Sequence, residues 1–139
     1  MGYNMAEAIS TSVAQLNYEL LNQGSAPSGT LWMGLSTSGI ATNGTGGAEP
    51  SGGYSRVQVL SNTTNWTAPV NGYISNTGAT ELKFTSVSDW GNIVSVFFAA
   101  TSTVGAADVK YYSNLDTSLA IPANTQVIFN GGSITIGRR

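Results

Sequence analysis

The sequence predicts a mainly β protein: an antiparallel β-sandwich of jelly-roll or Ig-like form that carries one N-terminal α-helix. Three observations lead there. Of the 139 residues, 62 are Gly, Ser, Thr or Asn, which are turn formers and residues that tolerate extended backbone. Short apolar or alternating segments recur from residue 30 to residue 136, separated by Gly, Asn, Pro and Ser and without helical periodicity. A 3.6-residue apolar stripe occurs only in the first two dozen residues. The length fits a single compact unit with its own core, and we divide it into an N-terminal attachment helix at 1–24 and a β-sandwich domain at 25–139.

The helix is expected over 5–23. Asn4 with Glu7 makes an Asn-type capping box, and Gly24 stands where a C-terminal cap falls. Met5, Ile9, Val13, Leu16 and Leu20 form one row, and Ala14, Tyr18 and Leu21 form a second beside it. Such a face either lies wholly on the sheet of its own domain or offers one row to a neighbour. On the second reading Ile9, Val13, Leu16, Tyr18, Leu20 and Leu21 contact another subunit or the particle to which the chain attaches.

Strands are expected near 30–36, 54–60, 73–76, 81–85, 93–99, 108–113, 125–130 and 132–136. In 81–85, Leu82 and Phe84 alternate with Glu81, Lys83 and Thr85, which marks a half-buried antiparallel strand. The run at 93–99 is almost wholly apolar and reads as a central strand covered on both faces. Asn130-Gly131-Gly132 signals a tight hairpin between the last two strands. Residues 37–53 form one long loop with six glycines and few side chains able to anchor it.

Composition excludes much chemistry. The chain has no Cys and no His, so thiol, redox and imidazole mechanisms are absent. Residues 1–137 carry three positive charges against seven negative ones, so no basic surface exists for nucleic acid. The start lacks the charged and apolar regions of a secretory signal, and the apolar run at 93–100 is far shorter than the ~20 residues of a membrane-spanning helix. A soluble chain is expected.

Glu49, Glu81, Asp89, Asp108 and Asp116 show no spacing that would pair two carboxyls for hydrolysis. Lys83 and Lys110 alternate with apolar neighbours and read as solvent-facing edge charges. Asp89 and the Asn114–Asp116 stretch supply isolated oxygens, so turn chemistry is expected and no metal site. The Gly46-Gly47 and Gly52-Gly53 pairs precede no helix and no P-loop lysine. No cofactor and no enzymatic activity are expected. Among the aromatics, Trp32 and Trp90 read as core, whereas Trp66 in the polar run SNTTNWTAP reads as a surface ring. Trp66 and Tyr73, with the loop 37–53, are therefore the candidate contacts for a glycan.

An ordered series of segments carries a further indication. GLSTSG at 34–39, EPSGGYSRVQV at 49–59, NWTAP at 65–69, DWGNIVSVFFA at 89–99 and VIFNGGSITI at 127–136 resemble a group of small tailed-bacteriophage virion proteins labelled head-decoration, head-fibre or tail-fibre protein. In that group an acidic residue, a Gly pair and an aromatic-x-Arg-Val stretch precede a Trp-Gly motif and a closing strand after a Gly turn. The stretch 107–121 departs from the pattern by lacking a Gly-rich turn. The resemblance implies a β-sandwich component of the virion that is not an enzyme: a capsid decoration, cement or head-fibre protein acting as an oligomer, with a trimer favoured. Its partners would be itself and the major capsid protein or other virion proteins. The alternative is a tail or fibre adhesion module that holds a host-surface glycan.

Overall fold

The computed structural model describes residues 3–4, 7–8, 30–60, 62, 64–67 and 73–137. The strands in chain order are β1 (Tyr3–Asn4), β2 (Glu7–Ala8), β3 (Thr30–Ser36), β4 (Val57–Leu60), β5 (Tyr73–Ser75), β6 (Leu82–Thr85), β7 (Gly91–Ala99), β8 (Val109–Ile121), β9 (Gln126–Phe129) and β10 (Ile134–Gly137). They assemble into a five-stranded sheet β2-β8-β7-β3-β4, a three-stranded sheet β1-β10-β5 and the pair β6-β9. Only β1 and β10 run parallel; every other ladder is antiparallel. The mainly β, antiparallel expectation holds, and no helix occurs among the described residues.

The apolar run forms the centre of the large sheet, as its composition requires. β7 lies between β8 and β3, and Val96, Phe97, Phe98 and Ala99 are all buried. On β6, Leu82 and Phe84 turn inward while Lys83 and Thr85 face solvent. All three sheets contribute to one core, in which Met33, Leu35, Phe98 and Tyr111 meet Ile74, Phe84, Phe129 and Ile134. Full burial of such a side chain is worth ~1.5–3 kcal/mol relative to exposure. The core thus joins sheets that share no backbone ladder.

One expectation is not shown and others are corrected. The N-terminal helix is not shown: Glu7 and Ala8, inside its expected span, pair with Tyr112 and Tyr111 of β8. Residues 9–24, with the proposed domain boundary, lie outside the described residues. The eighth strand does not stop at residue 113. Ser95 pairs with Asn114 and Ile93 with Leu119, so residues 115–118 stand as a bulge opposite Val94 before the ladder resumes. No Gly or Pro interrupts residues 109–121 to turn the chain away.

The long loop is firmly anchored. Ile40 is buried in the core. The Asn114 side chain accepts from the Ile40 N–H at 2.9 Å and donates to its C=O at 3.0 Å, so that one amide imitates a strand partner. This Asn is therefore no turn residue bonding its own backbone, whereas Asp89 is one, accepting from the Gly91 N–H at 2.7 Å. Sequence alone hides a bond between residues so far apart.

The Asn130-Gly131-Gly132 turn is present but is not a hairpin. Ser133 N–H returns to the Asn130 carbonyl at 3.0 Å, yet β9 pairs with β6 while β10 pairs with β5 and β1. Asn76 takes the place of a hairpin partner. Its Nδ2 donates to the Asn130 carbonyl and its Oδ1 accepts from the Ile134 N–H, both at 2.9 Å. Gly131 packs so tightly that a Cβ there would fall 2.5 Å from the Thr77 carbonyl oxygen. The turn therefore passes the chain from one small sheet to the other.

Two outcomes follow for stability, each read by denaturant unfolding. Phe97→Ala and Phe98→Ala should each cost ~3–5 kcal/mol, as both rings are buried in the central strand. Unfolding midpoints equal to the parent's would contradict that placement. Gly91 has φ +74°, so Gly91→Val should lose at least ~1–2 kcal/mol to backbone strain. No Cβ contact adds to this, since the space around Gly91 is open; an unchanged midpoint would show that the turn relaxes freely.

Candidate functional site

The structure gathers three segments of the ordered series, 34–39, 49–59 and 89–99, around one buried guanidinium. Arg56 lies just before β4, on the same side of the chain as Tyr54, and its side chain is 1% exposed. Burying a cation is costly unless every donor is met. Here all five N–H groups find acceptors. Nε donates to Glu49 Oε1 at 2.8 Å and Nη2 to Glu49 Oε2 at 3.0 Å, a two-pronged pairing. Nη1 donates to Asp108 Oδ1 at 2.9 Å and to the Thr101 carbonyl at 2.7 Å, and Nη2 also reaches the Ala106 carbonyl at 3.3 Å.

The acceptors are held in turn. Tyr54 donates its hydroxyl to Glu49 Oε1 at 2.9 Å and accepts from the Leu35 N–H of β3 at 2.8 Å. Glu49 Oε2 also receives the Gly105 N–H. Asp108 Oδ2 receives the Thr101 N–H at 2.7 Å and its hydroxyl at 2.6 Å. Behind the guanidinium the Phe97 ring lies 5.3 Å from Arg56 Cζ, at cation–π range. That ring needs a glycine beneath it, because a Cβ on its cross-strand partner Gly34 would fall 2.2 Å from Phe97 Cζ.

The Gly pair and the Trp-Gly motif close the other side. Gly52 and Gly53 have φ of +71° and +81°, and Cβ atoms there would collide with Ser88 and Val87. The Gly52 carbonyl then accepts from Ser88 Oγ at 2.9 Å and from Trp90 Nε1 at 3.2 Å. Trp90 meets Tyr54 edge-on at 5.3 Å. Glu49, Gly52, Gly53, Tyr54, Arg56 and Trp90 thus each have a packing or hydrogen-bonding reason.

Electrostatics fix the charge states. Burial works against the Arg56 cation, but hydrogen bonds to Glu49 and Asp108, with their negative charges, outweigh it and raise its pKa. Burial would lift the Asp108 carboxyl, yet the Thr101 hydroxyl, the bonds and charge of Arg56 and the Thr101 N–H hold it below the usual 3.8. Burial, foremost, pushes the Tyr54 phenol well above its ordinary value, so it remains a donor. Glu49 and Asp108, which sequence spacing did not bring together, do meet. They meet as partners of one arginine, with both oxygens of each engaged, an arrangement that fixes segments in place.

A cavity of about 170 Å³ lies beside this cluster, between the 44–47 loop and the 105–107 turn. Arg56 has no N–H left to offer a ligand there. Among the described residues no three acidic side chains group as metal ligands. Trp66, expected at the surface, is 1% exposed and packs edge-on against Phe98 at 5.6 Å, which corrects its placement and leaves no ring face for a sugar. Tyr73 lies on β5 opposite Gly137, and its side chain is outside the described residues, as are Ile9, Val13, Leu16, Tyr18, Leu20 and Leu21. The cluster itself was missed. Its one signal was a lone arginine in an otherwise arginine-free body, two residues after a tyrosine.

Removing Arg56 leaves buried carboxylates unpaired. Arg56→Met should therefore cost ~3–5 kcal/mol in denaturant unfolding, and Arg56→Lys should recover only part, since an ammonium cannot span both carboxylates. A loss below ~1 kcal/mol, the scale of an exposed pair, would show that the cluster is not buried in solution. Acid should weaken the fold as well. Asp108 has a folded pKa below its unfolded 3.8, so its stabilisation is complete above that value and is lost as pH falls through the folded one. Asp108→Asn should flatten the slope of stability against pH below about 4; an unchanged slope would refute its part.

No curated protein matches the chain. A family model described as podophage GP4 fiber I protein gp80 matches residues 8–137, and this span takes in the whole Arg56 cluster together with every strand from β3 to β10. The chain belongs to that family of phage fibre proteins and is thereby a virion-associated structural protein.

Proposed function

We propose that this chain is a non-enzymatic fibre subunit on the phage head that works as a homo-oligomer, with a trimer favoured, and attaches to the capsid or to another virion protein. The observation that carries the reading is the family match over 8–137. The cluster agrees with it: the buried polar side chains hold loops to sheets and leave no arginine donor for a ligand. We read the five-stranded sheet and the two smaller ones, which share one core, as the two layers of a sandwich. Copies held by symmetry need area and shape more than charge, and a chain with 9% charged residues suits that.

Attachment is assigned to the apolar rows of residues 5–23, with Ile9, Val13, Leu16, Tyr18, Leu20 and Leu21 as contacts. A specific contact of this kind buries roughly 800 Å² per partner. Glycan binding is not retained, because the burial of Trp66 removes its main support.

Mass measurement on the intact purified chain tests the assembly: a trimer is expected, and a monomer at all concentrations overturns it. Leu16→Lys with Leu20→Lys should abolish oligomerisation or particle binding while the β core still melts cooperatively, since charges at a buried contact are costly. Retention of both would remove the N-terminal assignment. Electron microscopy of the particle should show this chain on the head; density confined to the tail tip would overturn the location.

A further inference from the structure

The sequence contains the pair Asn-Gly three times, at 43–44, 71–72 and 130–131. This pair is prone to spontaneous deamidation, because the glycine nitrogen is sterically open to attack the preceding side-chain amide. Asn71 and Gly72 lie outside the described residues. The other two sit in contrasting surroundings.

At Asn43 both reacting groups are engaged. Its Oδ1 accepts from Thr45 Oγ1 at 2.7 Å and from the Thr45 N–H at 3.2 Å. The nucleophile, Gly44 N, donates its proton to the Ala41 carbonyl at 2.8 Å. Hydrogen bonds to Oδ1 do polarise the amide carbon, but they also fix the side chain, and the nucleophile must give up a bonded proton. The second effect governs, because the ring cannot close until that nitrogen is free.

At Asn130 neither restraint exists. Among the described residues its side chain makes no hydrogen bond and the Gly131 N–H donates none. Asn130 and Gly131 are both exposed. The restraints here are on the backbone: the Asn130 carbonyl is held by Asn76 Nδ2 at 2.9 Å, Ser133 N at 3.0 Å and Ser133 Oγ at 2.6 Å, and Gly131 packs against the Thr77 carbonyl. We propose that Asn130-Gly131 is a deamidation site in the folded protein and that Asn43-Gly44 is protected.

The chemistry needs only water. Gly131 N loses its proton to solvent and attacks Asn130 Cγ; the new C–N bond forms as the Cγ–Nδ2 bond breaks and ammonia leaves. Water then opens the succinimide at either carbonyl, giving aspartate or isoaspartate. Isoaspartate carries the main chain through the side-chain carbon and adds one backbone atom. The carbonyl bound by Asn76 and Ser133 then leaves the main chain. The turn that joins β9 to β10 would lose its three anchoring bonds.

Peptide mapping by mass spectrometry decides it, with the full chain aged in mildly alkaline buffer, folded or held unfolded in denaturant. Unfolded, Asn43 and Asn130 should react at similar rates. Folded, Asn43 should be slowed at least roughly tenfold, which corresponds to about 1.36 kcal/mol of added barrier, while Asn130 is slowed less than Asn43 and yields isoaspartate. Equal slowing at both sites, or a faster Asn43, would overturn the proposal.

Discussion

The described body depends on the solvation of one buried cation. A guanidinium withdrawn from water must recover its five hydrogen bonds from the protein, and Arg56 recovers them from Glu49, Thr101, Ala106 and Asp108. Those residues lie in the long loop and in the β7–β8 connection, two segments with little apolar surface of their own. Tyr54 extends the network to β3 through the Leu35 N–H. A buried ion pair is weak evidence of added stability, because desolvation offsets most of the attraction. Its effect here is to tie the loop and the connection to each other and, through Tyr54, to β3.

Packing makes that placement possible. Phe97 lies flat where Gly34 leaves room, and Arg56 lies over it. Gly52 and Gly53 let the chain pass so close to residues 87 and 88 that Trp90 can bond the Gly52 carbonyl. Asn114 then holds Ile40 at the far side of the same loop. A segment that composition marks as loose is thereby tied at several points, which lowers its tendency to unfold locally or be cleaved.

What the residues disclosed in advance was whatever depends on neighbours in sequence. β3 matched its expected bounds, the apolar run at 93–99 became the central strand, and the alternation of Leu82 and Phe84 gave the inward face of β6. Long-range pairing was hidden. Asn114 looked like a turn residue because its partner, Ile40, is 74 positions away; Asn130-Gly131-Gly132 looked like a hairpin because Asn76, which replaces the hairpin partner, is far upstream. Glu49, Tyr54 and Arg56 stand together in one segment of the resemblance, yet alternation assigns a charged residue to solvent and gives no reason to bury it, and Thr101, Ala106 and Asp108 lie some fifty residues downstream. Trp66 misled similarly, since its polar flanks concealed a ring packed on Phe98.

The central claim is that Arg56 and Glu49 act as one unit in fixing the loop to the sheets. A double-mutant cycle on the full chain tests it most directly, with Arg56→Met, Glu49→Gln and the combined variant compared by denaturant unfolding. Coupled residues give interaction energies of about 0.5–3 kcal/mol, and a value in the upper half of that range is expected, with the double variant more stable than the two single losses would predict. Additivity within ~0.5 kcal/mol would contradict the account and show that the two side chains stabilise the fold independently.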